Sequence, residues 1–256
     1  DFTGRGLLEE GATSVALKRM VMEVPKIGFV KGHRERKMYG DVPYDMGHLF
    51  SSKWNGGSMV NQGFDVVEVT LDQDALKDVD LLWIADMRTE LTPEEEAALE
   101  KYIEQGGNLV FMGEPSHRET QNKVLNKFFG LELTPLLVGP DVRFKGSLTA
   151  NVLAAVPTQR SKELMYPMKN SYRIAHENCA GIEEVENKGF KVEALVSTDT
   201  TGPVWTELET TDFVDDTVKF NPTVGEISKV FNTVVGLTRQ VGNREQRIMV
   251  TGDADC

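Results

Sequence analysis

The chain has only two cysteines, Cys179 and Cys256, and four histidines in 256 residues. Two thiols cannot hold zinc by themselves, and one disulfide between them would be compatible with export without requiring it. His33, His48, His117 and His176 show no metal-binding spacing such as HExxH, so neither a metal nor a cofactor is expected. A glycine-rich phosphate loop is missing as well. Gly56-Gly57 is not followed by Lys-Ser/Thr and no GxGxxG occurs, which excludes the nucleotide-hydrolysing part of any machine. Positive charge is in deficit: 28 Lys and Arg stand against 40 Asp and Glu, a net charge of -12. Nothing is left over to replace phosphate counterions, so no nucleic acid is expected as partner, and an anionic membrane surface has no attraction to offer. The sequence has neither a signal peptide nor an apolar run long enough to span a bilayer. It opens at Asp1 without a methionine and stops at Cys256 just after the apolar run 248–250, which reads as a domain excised from a longer protein.

What is present is ordinary globular material, 40% hydrophobic and 27% charged, enough for one large or two modest domains. Residues 79–115 are the most telling. Leu81 to Ala85 is a short apolar run, as in a strand covered on both faces. Thr92, Pro93 and Glu95 fit a capped helix start, and Ala98, Leu99, Tyr102 and Ile103 fall on one face of that helix. Gly106-Gly107 stops it and 108–112 returns as a strand. The unit is βαβ, whose crossover implies a parallel sheet.

Around it the reading predicts a lead-in helix within 1–25, an α/β core over 26–140, and an elaboration over 141–256 that returns to the same sheet as one domain. Strands 27–30, 66–69, 81–85 and 109–112 are expected as adjacent central strands. Residues 44–62 carry a broken helical pattern, 121–129 a helix closed by Gly130, and 131–138 a further strand. Residues 151–178 read as loop-rich, 190–197 as a strand, and 231–241 with 246–251 as two β runs joined at Gly242-Asn243. The closing apolar strand, glycine and carboxylate at 247–253 echo 109–114. The acidic clusters 94–96, 183–186 and 207–216 read as solvated faces.

Open α/β sheets place ligands outside the C-terminal ends of their strands, so candidate binding residues are those where strands end. His33, Arg34 and Glu35 follow the first strand and together suit a polar or carboxylate-bearing ligand; a merely polar loop after Gly32 is the plain alternative. Asp86, Glu114 and His117 follow the later strands, with side chains expected to face a crevice. A nucleophile elbow would need Ser or Cys between small residues, whereas here Glu114 precedes Pro115, and Ser116-His117 as neighbours define no triad. No catalytic residue is therefore assigned. Trp54, Trp83 and Trp205 fit a core better than a sugar platform.

Several segments together resemble a known family: LLEEGATSVALKRM at the start, PKIGFVKGHRE, DVDLLWIADMRTELTPEEEAALEKYIEQGGNLVFMGEP, VLNKFFGLEL, ALVSTDTTGPVWTE, and RIMVTGDADC at the end. In order and spacing the chain is similar to the extracytoplasmic domain of gliding-motility-type ABC transporter auxiliary proteins. The residue pattern itself reads as a three-layer, mostly parallel α/β domain with a β-rich C-terminal elaboration, and the resemblance implies a flavodoxin-like or class I glutamine-amidotransferase-like core without the catalytic cysteine. It further implies a non-enzymatic binding or coupling domain outside the cytoplasm (periplasmic), membrane-anchored through its parent protein. The implied partners are a membrane permease subunit and, indirectly, a cytoplasmic ATPase, with a glycan or peptide as the ligand if one binds. An amidotransferase-like or sugar-processing hydrolase, or a purely structural scaffold, are the competing expectations.

Overall fold

The computed structural model describes residues 10–40, 44–52, 55–140, 142–144, 147–164, 173–199, 202–209, 213 and 218–255. Trp54, Cys256, and parts of the 1–25, 151–178 and 207–216 segments lie outside them. The chain divides into two compact units, Asp1–Ile84 with Leu91–Leu109, and Ala85–Glu90 with Val110–Cys256.

The first unit holds α1 (Glu10–Val21), β1 (Lys26–Val30), α2 (Gly47–Phe50), β2 (Asp65–Val69), α3 (Gln73–Leu76), β3 (Leu81–Ala85) and α4 (Pro93–Glu104). β1 pairs in parallel with β2 on one side and β3 on the other. Ile27, Phe29 and Val30 of β1 and Leu82 and Ile84 of β3 are buried, as strands covered on both faces must be. Phe50 explains the short α2: its ring stands edge-on between Phe29, at 5.1 Å, and Trp83, at 4.8 Å. The broken helical pattern of 44–62 thus condenses to one turn that delivers an aromatic plug. β2, expected as a central strand, is the terminal strand of this ladder. Its exposed charges account for that: Asp65 meets Arg19 at 2.7 Å and Glu68 meets Lys31 at 3.1 Å, the pattern of a protected edge.

α4 forms as its local chemistry dictates. Thr92 caps Glu95 N, Glu95 caps Thr92 N, and Pro93 opens the helix. Ala98, Leu99, Tyr102 and Ile103 are all buried. Past its end the Tyr102 hydroxyl donates to Asn108 O at 2.8 Å, and a Cβ on Gly107 would lie 2.3 Å from the tyrosine ring, so only glycine fits there.

The second unit takes up β4 (Asn108–Met112) from Val110 onward, followed by α5 (Arg118–Phe129) and β5 (Leu131–Val138). Then come β6 (Val142–Phe144), β7 (Ser147–Thr149), β8 (Val152–Pro157), α6 (Gln159–Leu164), β9 (Ile174–Glu177), β10 (Ala180–Glu184), β11 (Lys191–Thr198) and β12 (Trp205–Thr206). The chain ends in the hairpin β13 (Asn232–Val241) and β14 (Arg244–Thr251). Its strand order is β4-β14-β13-β10-β5-β12, with β11 also beside β13, β8 beside β11 and β9 beside β8. β6 and β7 form a separate hairpin.

Parallel pairing is thus the rule in the first unit, while β5 and β8–β14 pair antiparallel with their neighbours where their register is defined, giving a mixed α/β architecture. Short connections such as Gly242-Asn243 enforce antiparallel neighbours, because a parallel return needs a long crossover. The 151–178 segment, expected to be loop-rich, instead supplies β8, α6 and β9. Gly130 ends α5 at φ 66, and a Cβ there would sit 1.8 Å from Glu186 O. Leu137, Leu153, Cys179, Val204 and Phe231 form one buried apolar cluster of this unit. No helix among the described residues is long and apolar enough to cross a membrane.

Candidate functional site

Three chain segments converge just beyond β3, β4 and β14 in the second unit. Asp86 N donates to Met112 O at 2.8 Å, and Gly113 N donates to Thr251 O at 2.8 Å, so the three strand ends are tied together by backbone. Asp86 has φ 56, a left-handed conformation that aspartate tolerates better than most residues, and its side chain is fully buried. The carboxylate is held from every side. Arg88 donates Nε and Nη2 to Oδ2 at 2.9 and 2.6 Å; His117 Nδ1 lies 2.7 Å and Gln121 Nε2 3.4 Å from Oδ1. Gln121 also donates to Met87 O at 3.1 Å and accepts Glu114 N at 2.8 Å, locking the loop after β4 to the loop after β3.

That geometry decides what Ser116 can do. Its Oγ lies 3.2 Å from His117 Nδ1, the same nitrogen that meets Asp86. A carboxylate paired with a guanidinium only accepts, so Nδ1 carries the proton and has no lone pair to activate a hydroxyl. A relay would need Asp on one ring nitrogen and Ser on the other. Cys179 offers no alternative nucleophile: it is fully buried, and burial, then the charges of Asp253 and Glu114, push its thiol well above the ordinary range.

Beside this cluster, one oxygen each of Glu114, Asp253 and Asp255 lies within 4.8 Å of the others. Glu114 and Asp253 are buried, and Asp255 N donates to Asp253 Oδ1 at 2.7 Å. His176 Nδ1 meets Asp253 Oδ2 at 2.8 Å, while its Nε2 is buried without a hydrogen-bond partner. Among the described residues these three carboxylates are the group whose spacing suits a shared cation.

The first unit holds its own cluster. His33 is 4% exposed, and both ring nitrogens face carboxylates: Nδ1 is 3.1 Å from Glu35 and Nε2 is 3.2 Å from Glu95. The Glu35 carboxylate also accepts His33 N at 2.7 Å. Glu95 is the residue that caps α4, so His33 clasps the loop after β1 to the start of that helix. Burial pushes the Glu95 carboxyl up, but the Thr92 N–H and hydroxyl, with His33, outweigh it and hold it below the ordinary range. Arg34 stands exposed at φ 60.

The residues singled out by strand-end position therefore fall into two groups. His33, Arg34 and Glu35 belong to the first unit, Asp86, Glu114 and His117 to the second. His33, Asp86 and Glu114 are buried rather than open to a crevice, because each is enclosed by partners from other segments. Sequence reading missed Arg88, Gln121 and His176. Arg88 was findable as a cation two residues from a strand-end acid; Gln121 and His176 carried no local signal.

In sequence, the family model described as ABC-type uncharacterized transport system matches residues 24–256. No curated protein matches the chain. Among solved structures the chain is similar to the N-terminal domain of mmIFT52, at TM-score 0.54 and 13% identity over 90% of this chain and 86% of that one. It is also similar to a putative thua-like protein from Bacteroides uniformis, at TM-score 0.50 and 16% identity over 91% of this chain and 84% of that one. These two likenesses concern the fold, which is of the flavodoxin-like or glutamine-amidotransferase-like kind.

Proposed function

Because the chain belongs to the ABC-type uncharacterized transport system family, and so has a transport-related role, we propose that it acts as a non-enzymatic binding or coupling domain of an ABC transport system. We place it outside the cytoplasm, attached through its parent protein to a membrane permease subunit whose energy comes from a separate ATPase. The observation that carries the non-enzymatic reading is the competition of Asp86 and Ser116 for one histidine nitrogen, which leaves the serine without a base. What the cluster offers instead is recognition. The partly exposed Arg88 and His117 are fixed on a buried carboxylate, with the exposed Ser116 beside His117, an arrangement suited to a polar partner group from a peptide, a glycan or another subunit.

The test pairs turnover with association. The purified protein is expected to leave ester, amide and glycoside substrates unchanged, and to co-purify with the membrane subunit of its transport system. Arg88→Glu is expected to weaken that association at least tenfold while the fold is retained. Turnover of any such substrate that disappears in Ser116→Ala would overturn the reading.

A further inference from the structure

A cavity of about 270 Å³ opens in the second unit beside β5, and none of its lining residues belongs to the Asp86 cluster. Its apolar wall combines the buried Leu133 and Phe231 with Pro135, Leu208 and Ile227. Leu208 is 42% and Ile227 53% exposed, so large apolar side chains meet water at the cavity. Covering them with an apolar group is favourable.

The charges of the same cavity are unevenly paired. Glu132 and Glu183 stand directly opposite each other on β5 and β10, an unfavourable placing of like charges. Lys229 relieves one side by pairing with Glu183. Glu132 has no ion pair among the described residues; its carboxylate meets only the neutral Asn122 amide, at a long 3.4 Å. Arg118 is the converse case. It is partly buried, yet its guanidinium has neither hydrogen bond nor ion pair among the described residues. As the first residue of α5 it also sits at the helix end that disfavours a cation and favours an anion. One cation and one carboxylate thus line a single cavity, and neither is paired with the other or with a third charge. The two threonines there are engaged in the fold. Thr134 Oγ1 donates to Pro135 O and accepts Gly181 N, both at 2.8 Å, and Thr206 Oγ1 accepts Ile227 N at 3.0 Å. Little is left for the many hydroxyls of a glycan.

We propose that this cavity binds a small zwitterion with an apolar side chain, an α-amino acid of the leucine or phenylalanine kind. The ligand carboxylate pairs with Arg118, its ammonium group with Glu132, and its side chain packs on the apolar wall. The volume lies just under the roughly 300–1,000 Å³ of sites for drug-sized ligands, which suits a single amino acid better than an oligosaccharide. Neither site depends on the other, and failure here would leave the recognition role of Arg88 and His117 untouched.

Isothermal titration calorimetry of the purified protein with L-leucine and L-phenylalanine is expected to show saturable binding. Glycine, which has no side chain to bury, should bind at least about tenfold more weakly. Arg118→Met and Glu132→Gln break no ion pair, so both variants should keep the fold, checked by circular dichroism. Each is expected to weaken L-leucine binding about tenfold. Leucinamide lacks the carboxylate and isocaproate lacks the amine, and each should bind the unaltered protein about tenfold more weakly than L-leucine does. Absence of saturable binding by both amino acids up to millimolar concentration would overturn the site. Undiminished L-leucine binding in either variant would also overturn it, as would glycine, leucinamide or isocaproate matching L-leucine.

Discussion

His33 and His117 both follow strands and both meet carboxylates, yet they are opposite kinds of site. His33 is enclosed, with a carboxylate on each ring nitrogen. His117 is about a third exposed and uses one nitrogen for both Asp86 and Ser116, while Nε2 has no partner among the described residues. A saturated, buried histidine has nothing left to offer a ligand, so its work is to hold the loop after β1 to α4. A histidine with one nitrogen pinned and the other toward water is oriented and still available. The difference lies in what surrounds the ring rather than in its place on the sheet, and it separates a clasp from a recognition surface.

The carboxylate beneath His117 gives the largest expected effect. Asp86→Ala strips Arg88, His117 and Gln121 of their common partner and puts a less tolerant residue at φ 56. Breaking a buried pair costs about 3–5 kcal/mol and left-handed backbone about 1–2 kcal/mol, but Arg88 and His117 can rehydrate, so a loss of roughly 2–4 kcal/mol is expected in chemical denaturation. Asp86→Gly removes the same carboxylate without the backbone strain and should be about 1 kcal/mol less damaging than Asp86→Ala. Equal losses would mean that the conformation at 86 carries no strain.

The histidines themselves should then separate. His33→Ala leaves the buried Glu35 carboxylate without its imidazole and is expected to cost about 2–3 kcal/mol. His117→Ala, at a rim position with Arg88 still on Asp86, is expected to cost less than about 1 kcal/mol and to act on association instead. If the order is reversed, the distinction between clasp and surface is wrong. Limited acylation by diethyl pyrocarbonate, mapped by mass spectrometry, gives an independent reading. The exposed His48 and the half-exposed His117 should react well before the buried His33 and His176.

How much of this was legible follows from how local each signal is. α4 could be read in full because its cap, its buried stripe and its glycine stop all lie within seventeen residues of chain, 91–107. β8, α6 and β9 could not, because their stability comes from neighbours such as β11, about forty positions away, and not from a pattern of their own. The strand-end rule located Asp86, Glu114 and His33 but not their partners. Glu95 lies sixty-two positions beyond His33, and Gln121 reaches Asp86 across thirty-five. Burial of Glu207 was invisible for the same reason: within a run of acids no local pattern sets it apart, and its backbone is held by Leu136 O, seventy-one positions earlier.

The smallest expected effect tests the clasp through pH. Thr92 and His33 hold Glu95 below the ordinary carboxylate value of 4.5, although burial opposes them. A lowered folded value means that the contribution is present above the unfolded value and is lost as pH falls through the folded one, so the acid limb below about pH 4.5 is where it shows. Glu95 remains about a quarter exposed, so solvent screens it and the share is expected to stay under roughly 1 kcal/mol. Denaturation midpoints measured from pH 6 down to pH 3 should therefore fall slightly less steeply in Glu95→Gln than in the unaltered protein, because other carboxylates titrate alike in both and cancel in the difference. Glu95→Gln should also start from a lower midpoint at pH 6, having lost the charged half of the capping box and the partner of His33 Nε2. Parallel acid limbs in the two proteins would show that the clasp holds by shape and hydrogen bonding alone, and that the charge on Glu95 adds nothing to it.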